Sequence, residues 1–407
     1  MRGSAASVAV IVFIHLRIKE RMRVRPLIVH FSRAVYAMNW FNIAPGLYYI
    51  SREFHVGIAQ LGILTTAFYA GVAIFQLPAG FLAAKFGNRI VGGFGIVILG
   101  ISTLLSGYSP SLPILDILRF FGGLGSAFFF SPAIATLKEV VDPSSYGFHI
   151  NIYNGSFNIG AGLGVIIWAI LDLHMGWRNA FTVAGIVTLL VAFLYIFGLR
   201  GTREFTDTGR NLLSNISRLI RSKPIWILSI AAMSTMIAEI VVGQLSIYYL
   251  RDHFQFSEMD AMTADSLFLL VGFVGGILGA ALTKRYGLGV RYFAMINIVL
   301  SVLVFPFAVL NSVVGIYIIS IVLGLLTVQG FSLLYVIIGT MQQNKTLLAF
   351  SLALVNFIQQ LFGSIWPTVF GFIHNISNYF TAWIFLGFVG LVFIPLLRLY
   401  RKGTAII

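Results

Sequence analysis

Apolar runs of bilayer-spanning length, separated by short polar connections, recur along the whole chain. A helix needs about 20 apolar residues to cross the hydrocarbon core of a membrane. Twelve runs are predicted, over residues 27–50, 58–82, 89–107, 113–137, 148–171, 177–199, 225–250, 262–283, 290–310, 312–338, 347–373 and 378–397. Most connections are too short to hold a soluble domain. The longest, residues 200–224, is polar and basic and separates six runs from six. The pattern predicts an all-α integral membrane protein with twelve transmembrane helices. They form two six-helix bundles, residues 27–199 and 225–407, the second ending in a short basic tail. Residues 1–26 behave differently. The apolar stretch 5–16 is too short to span, and Arg17, Lys19, Arg21, Arg23 and Arg25 follow it. A signal peptide carries its charges before the apolar stretch. The segment reads as a basic cytoplasmic lead lying on the membrane surface, and Met22 is an alternative start.

Composition agrees with that pattern. Hydrophobic residues are 58% and charged residues 10% of the chain, against about 25% charged in a soluble domain. Too few charges are present to cover a water-facing surface. The net charge of +14 would suit a nucleic-acid binder, but its placement does not. With the N-terminus in the cytoplasm, all but five of the 27 basic residues fall on the cytoplasmic side. Arg52, Arg178 and Arg251 fall outside, and Arg33 and Arg119 lie within spans. This is the positive-inside asymmetry, with both termini cytoplasmic. The absence of cysteine excludes disulfides, thiolate catalysis and cysteine–zinc sites.

The two halves also resemble each other at an offset of 200. Leu47, Tyr48, Tyr49 and Ile50 recur as Ile247, Tyr248, Tyr249 and Leu250. A basic–acidic pair follows each, Arg52–Glu53 and Arg251–Asp252, and then Phe54 and Phe254. Lys85, Phe86 and Gly87 recur as Arg285, Tyr286 and Gly287 after the second and eighth runs. Parallel six-helix halves are the symmetry of one large transporter class.

Several segments resemble the major facilitator superfamily. Residues 80–89, with Gly80, Lys85, Gly87 and Arg89, are similar to its loop 2–3 signature, departing at Ala84, where the family usually has aspartate. Arg119 with Gly122, Gly123 and Gly125 resembles the fourth-helix motif, and residues 176–181 resemble the opening of the sixth helix. The fifth run lacks the glycine–proline pair common in drug antiporters. The resemblance covers roughly residues 27–400 and implies transport by alternating access, with Gly80, Lys85, Gly87, Arg89, Arg285 and Gly287 as gating loops.

Polar groups inside apolar runs are costly towards lipid, so they mark cavities or helix contacts. Asn151, Asn154 and Asn158 form one stripe in the fifth run, and Asn356, Gln359, Gln360, Gly363 and Pro367 form one in the equivalent eleventh. Such amides either line a cavity or glue helices together, at about 0.6–2 kcal/mol each. In the first run Arg33, Tyr36 and Trp40 share a face, with Asn39 and Asn42 on its flank. Arg33 either snorkels to the surface or offers a guanidinium fork to an anion. Asp116 and Arg119 stand at i, i+3 and can pair on one helix. Glu239 sits near mid-span with no basic residue within two turns of it in sequence, which makes it, with Asp116, a candidate proton carrier. Gly272, Gly275, Gly276 and Gly279 lie along one face of the eighth run, the spacing of close helix packing. The histidines show no metal-ligand spacing, and no P-loop is present.

The substrate-binding set expected is Arg33, Tyr36, Asn39, Arg119, Asn151, Asn154, Asn158, Asn356, Gln359 and Gln360. The function expected is secondary active transport of a small solute, coupled to protons, by a monomer in the cell membrane, with no cofactor, metal or nucleic acid. The two arginines favour an organic or inorganic anion. The amides, Trp168 and Trp366 would equally suit a sugar or neutral metabolite carried by passive uniport. The rivals are a solute sensor without net transport, which usually carries a long soluble extension, and a lipid-acting enzyme, which needs a clustered catalytic set.

Overall fold

The computed structural model describes residues 24–201, 220–287, 289–341 and 345–400. These residues are helical, without strands. The N-terminal half comprises α1 (24–40), α2 (Ile43–Phe54), α3 (Ile58–Phe86), α4 (Asn88–Ser106), α5 (Leu112–Val140) and α6 (Tyr146–Gly198). The C-terminal half comprises α7 (Lys223–Ala231), α8 (Met233–Ile237), a π-helical turn (Ala238–Val242), α9 (Gly243–His253), α10 (Glu258–Tyr286) and α11 (Val290–Val309). It continues with α12 (Val313–Met341), α13 (Lys345–Gly363), α14 (Trp366–Ile376) and α15 (Tyr379–Phe393), and closes on a 3₁₀ turn, Ile394–Leu399. Nine helices among the described residues are long and apolar enough to cross a membrane. Twelve passes are consistent with this count. The 53-residue α6 bends at Gly176, whose φ of 78° and ψ of 153° leave the helical region, and so holds two of the predicted runs. Most of the basic lead 1–26 and of the 200–224 linker lies outside the described residues.

Three predicted spans are broken rather than continuous. The first divides at residues 41–42, ahead of Pro45, and the eleventh at 364–365, ahead of Pro367. Proline lacks an N–H and fits most readily in a helix's first turn, and Pro45 and Pro367 each stand in the first turn of the helix that follows the break. The seventh steps from α8 through the π turn into α9. A π turn inserts one residue and often marks a functional site.

Packing follows the internal repeat. Within the first half α3 and α4 lie on α5, and α4 on α6. Within the second, α10 lies on α12 and α11 on α15. Between the halves α2 meets α9, α3 meets α13 and α14, and α6 meets α10. The repeat makes α10 the counterpart of α3, and α13–α14 that of the first part of α6. The last two contacts are therefore one contact seen twice across the pseudo-two-fold axis. The glycine stripe of α10 packs on Leu325, Val328 and Gln329 of α12. Gly123 of the fourth-helix motif lies against the backbone oxygen of Phe68, where a Cβ would collide.

Candidate functional site

A cavity of about 660 Å³ lies between the halves. The first half contributes Arg33, Tyr36, Gln76, Asn151, Asn154 and Asn158, and the second Glu239, Tyr335, Asn356 and Gln360, among others. Both predicted amide stripes thus reach one space. The cavity extends past Phe148 and Val336 towards the face carrying the basic loops, which the positive-inside rule assigns to the cytoplasm.

Arg33 is the first half's cation in this space. It is 6% exposed, so it does not snorkel. Four rings surround its guanidinium carbon at 4.5–5.0 Å: Tyr36, Phe130, Tyr153 and Phe157. Rings at this distance stabilise a cation through their negative faces. Nε and Nη1 are buried with no hydrogen-bond partner. A buried guanidinium with free donors is suited to an anion that binds through two oxygens.

Glu239 stands on the π turn across the cavity. Its neighbours along the chain hold no cation, yet the fold supplies one. Arg33, from the other half, is close enough to act on it electrostatically. Tyr69 and Tyr335 also lie within its field.

Three predicted substrate residues are not brought to the cavity. Asn39 turns into the first bundle. Its Nδ2 donates to the Val35 carbonyl at 2.9 Å and to Thr188 Oγ1 at 2.8 Å, and its Oδ1 accepts from Thr103 at 3.1 Å. Its amide is fully used as glue between helices. Arg119 is buried over the Phe68 ring at 4.3 Å, donating to Asn42 Oδ1 at 3.1 Å. Gln359 is buried one helical step to the side of Gln360, its amide atoms without partners. Asp116 forms no ion pair with Arg119 among the described residues; its Oδ1 is buried without a partner, and it does not line the cavity. The two tryptophans are structural: Trp168 donates to the Met38 carbonyl at 3.1 Å and Trp366 to Met233 Sδ at 3.0 Å.

Sequence reading also missed residues. Asp265 lies inside the predicted eighth run and accepts from Ser246 Oγ at 2.9 Å, so Asp116 and Glu239 are not the only acids within the runs. Asp172 lies one residue beyond the fifth run and is buried. Gln244 crosses between halves, donating to the Trp40 carbonyl at 3.0 Å and Tyr69 Oη at 3.3 Å. No local pattern marks Gln244, because its partners are distant in sequence.

Opposite the basic face the halves close on each other. Here the repeated Tyr–Tyr motif meets its own copy. The Tyr48 and Tyr248 rings lie 6.4 Å apart, Ser51 Oγ and Tyr248 Oη 3.4 Å, and the Arg251 guanidinium 3.8 Å over Tyr48. Arg251 pairs with Glu258 at 3.0 Å, and Tyr49 donates to the same carboxylate. Thr66 Oγ1 donates to the Ser364 carbonyl at 2.6 Å, tying α3 to the break before α14. At the basic face the described loop contacts are local. Arg89 donates to the Ile196 carbonyl at 2.9 Å within its own half. Lys85 and Arg285 lie over the adjacent rings of Phe86 and Tyr286. Gly80 has open space around it, whereas Gly87 and Gly287 both adopt positive φ, 89° and 60°.

A cleft between two pseudo-symmetric halves, open at one face and sealed at the other, is matched at family level. The family model described as Major Facilitator Superfamily matches residues 29–367. The chain belongs to the major facilitator superfamily. Among its curated relatives is a probable hexose phosphate transport protein of Chlamydia trachomatis, 23% identical over 273 residues, 60% of this chain and 59% of that protein. The membrane sensor protein UhpC of Salmonella typhimurium is 23% identical over 246 residues, 54% of each. The matches thus span between half and three-fifths of these relatives. A bacterial homolog of the human lysosomal transporter Spinster, solved inward-facing and unoccupied, superposes with a TM-score of 0.76. That match has 15% identity over 93% of this chain and 95% of the other, a likeness of fold. The chain is a multi-pass membrane protein.

Proposed function

We propose that this protein is a secondary active transporter of a small organic anion, coupled to protons and working by alternating access in the cell membrane. One observation carries the reading: Arg33, with free donors, faces Glu239 across the cavity between the halves. The two groups give the site two electrically balanced states. With the cavity empty, the Glu239 carboxylate balances the Arg33 guanidinium. With a monovalent anion on Arg33, balance requires a proton on Glu239. A half-loaded site leaves one net charge in a poorly hydrated space, which is costly. The halves therefore rock most readily when empty or when carrying anion and proton together, which is symport. The name of the hexose phosphate relative supports an anionic cargo. The amides on both halves would hold hydroxyl or carbonyl groups elsewhere on the solute.

The test is transport by purified protein in liposomes, with substrates first found by thermal-shift screening, since a ligand of the folded state raises its stability. Glu239→Gln should abolish uphill uptake driven by a proton gradient while exchange at equal pH survives. Full gradient-driven accumulation by Glu239→Gln would refute the coupling. Tight binding with neither uptake nor exchange in the native protein would instead indicate a sensor, as the UhpC relative is named.

A further inference from the structure

The sealed face holds a carboxyl group that this mechanism does not use. Asp172 is 3% exposed, and both its oxygens are buried with no hydrogen-bond partner. Oδ2 rests against α2 at Gly46, where a Cβ would lie 3.5 Å away. From the other half, Arg251 at the end of α9 and Glu258 at the start of α10 act on it electrostatically. These two are already paired, and Tyr49 of α2 also donates to Glu258. The remaining ionisable groups nearby have partners of their own. Glu53 is held by Arg178 and Trp177, Arg52 bonds Tyr48, and Asp265, deeper along α10, accepts from Ser246. Arg251 therefore faces two carboxyl groups and is held by one of them.

A carboxylate removed from water and given no donor is strongly disfavoured. In the sealed arrangement Asp172 is therefore the neutral acid. Opening this face separates α2 from α9 and α6 from α10 and lets water reach the group, where a carboxyl is ionised at neutral pH. We infer that Asp172 is a proton-binding site of the outer closure, holding a proton while the seal is shut and releasing it when the pathway opens outward. The inference rests on alternating access, but neither on the substrate nor on Glu239. The shut state binds the extra proton, so it gains as pH falls and loses as pH rises. An acidic exterior then shuts the pathway behind an entering solute.

The chain contains no cysteine, so spin labels can be placed at will. Gln60→Cys on α3 and Met259→Cys on α10 are exposed positions on opposite halves of the sealed end. Their separation would be measured by double electron–electron resonance in liposomes without substrate, from pH 5 to pH 9. With native Asp172, the open-to-shut ratio should rise with pH, by at most about tenfold per unit, the limit for one proton released. Asp172→Asn should hold the shut distance at every pH, and Asp172→Glu should keep a pH response with a displaced midpoint. A distance independent of pH with native Asp172, an unchanged slope in Asp172→Asn, or opening that follows sodium at constant pH would each overturn the inference. None of these outcomes bears on Glu239→Gln, so the two proposals fail separately.

Discussion

Arg33 and Asn39 are six residues apart on one helix, and their surroundings give them opposite roles. Arg33 keeps unfilled donors against the cavity, whereas Asn39 spends its amide on Val35, Thr103 and Thr188. Arg33→Gln should weaken binding of an anionic substrate more than tenfold, read by titration calorimetry or thermal shift. Lysine should restore only part of it, because a point charge loses the two-oxygen geometry and the flat contact with the rings. Normal binding by Arg33→Gln would remove Arg33 from the site. Arg119→Gln should change affinity far less, since that side chain does not line the cavity. Asn39→Ala should leave affinity alone and lower stability by about 1–2 kcal/mol, the range for a buried polar contact between membrane helices. A thermal unfolding curve in detergent, run beside the binding assay, separates the two effects.

The connections carry the next level of constraint. The repeated Lys–Phe–Gly and Arg–Tyr–Gly turns both end on a glycine with positive φ, but the two conformations differ. Gly287, at φ 60° and ψ 32°, is left-handed helical, a region asparagine tolerates. Gly87, at φ 89° and ψ 146°, lies where only glycine is at ease. Gly287→Asn should therefore transport almost normally. Gly87→Val should slow transport more than it lowers expression, measured as initial uptake rate per unit of protein in the membrane. Wild-type rates for Gly87→Val at normal expression would exclude this turn as a hinge. The same level holds the broken helices. The sequence pattern predicts single spans over 27–50 and 347–373, and each breaks just ahead of a proline, Pro45 and Pro367; the π turn beneath Glu239 holds no proline or glycine of its own.

For the whole molecule, the basic-residue count predicts that residues 200–224 and the tail after Arg398 are cytoplasmic. Reporter fusions at Asn211 and Lys402, both outside the described residues, should read as cytoplasmic, and an external signal from either breaks the twelve-span topology. The sealed face is the one bearing Arg52, Arg178 and Arg251. The meeting of Tyr48 with Tyr248 shows what the internal repeat does at this scale. A motif placed near a pseudo-two-fold axis must contact its own copy, so duplication supplied both sides of the seal.

Membrane class, span positions, the division into halves, the repeat and the polar stripes follow from the sequence, because the bilayer imposes length and apolarity locally and helical period fixes which side chains share a face. The family resemblance seen in the glycine and arginine motifs extends the same reading. Which stripe faces what is set elsewhere. Period places Arg33, Asn39 and Arg119 on helix faces, but only the packing of six helices assigns one face to the cavity and another to a neighbour. The sequence places no cation within two turns of Glu239, and the fold places Arg33 across from it. It passes over Asp172 at the end of a span, and the fold encloses that carboxyl beside an ion pair from the other half. Electrostatic partners are chosen by distance in space, which no local pattern encodes, so the candidate chemistry of this protein was decided by its tertiary structure.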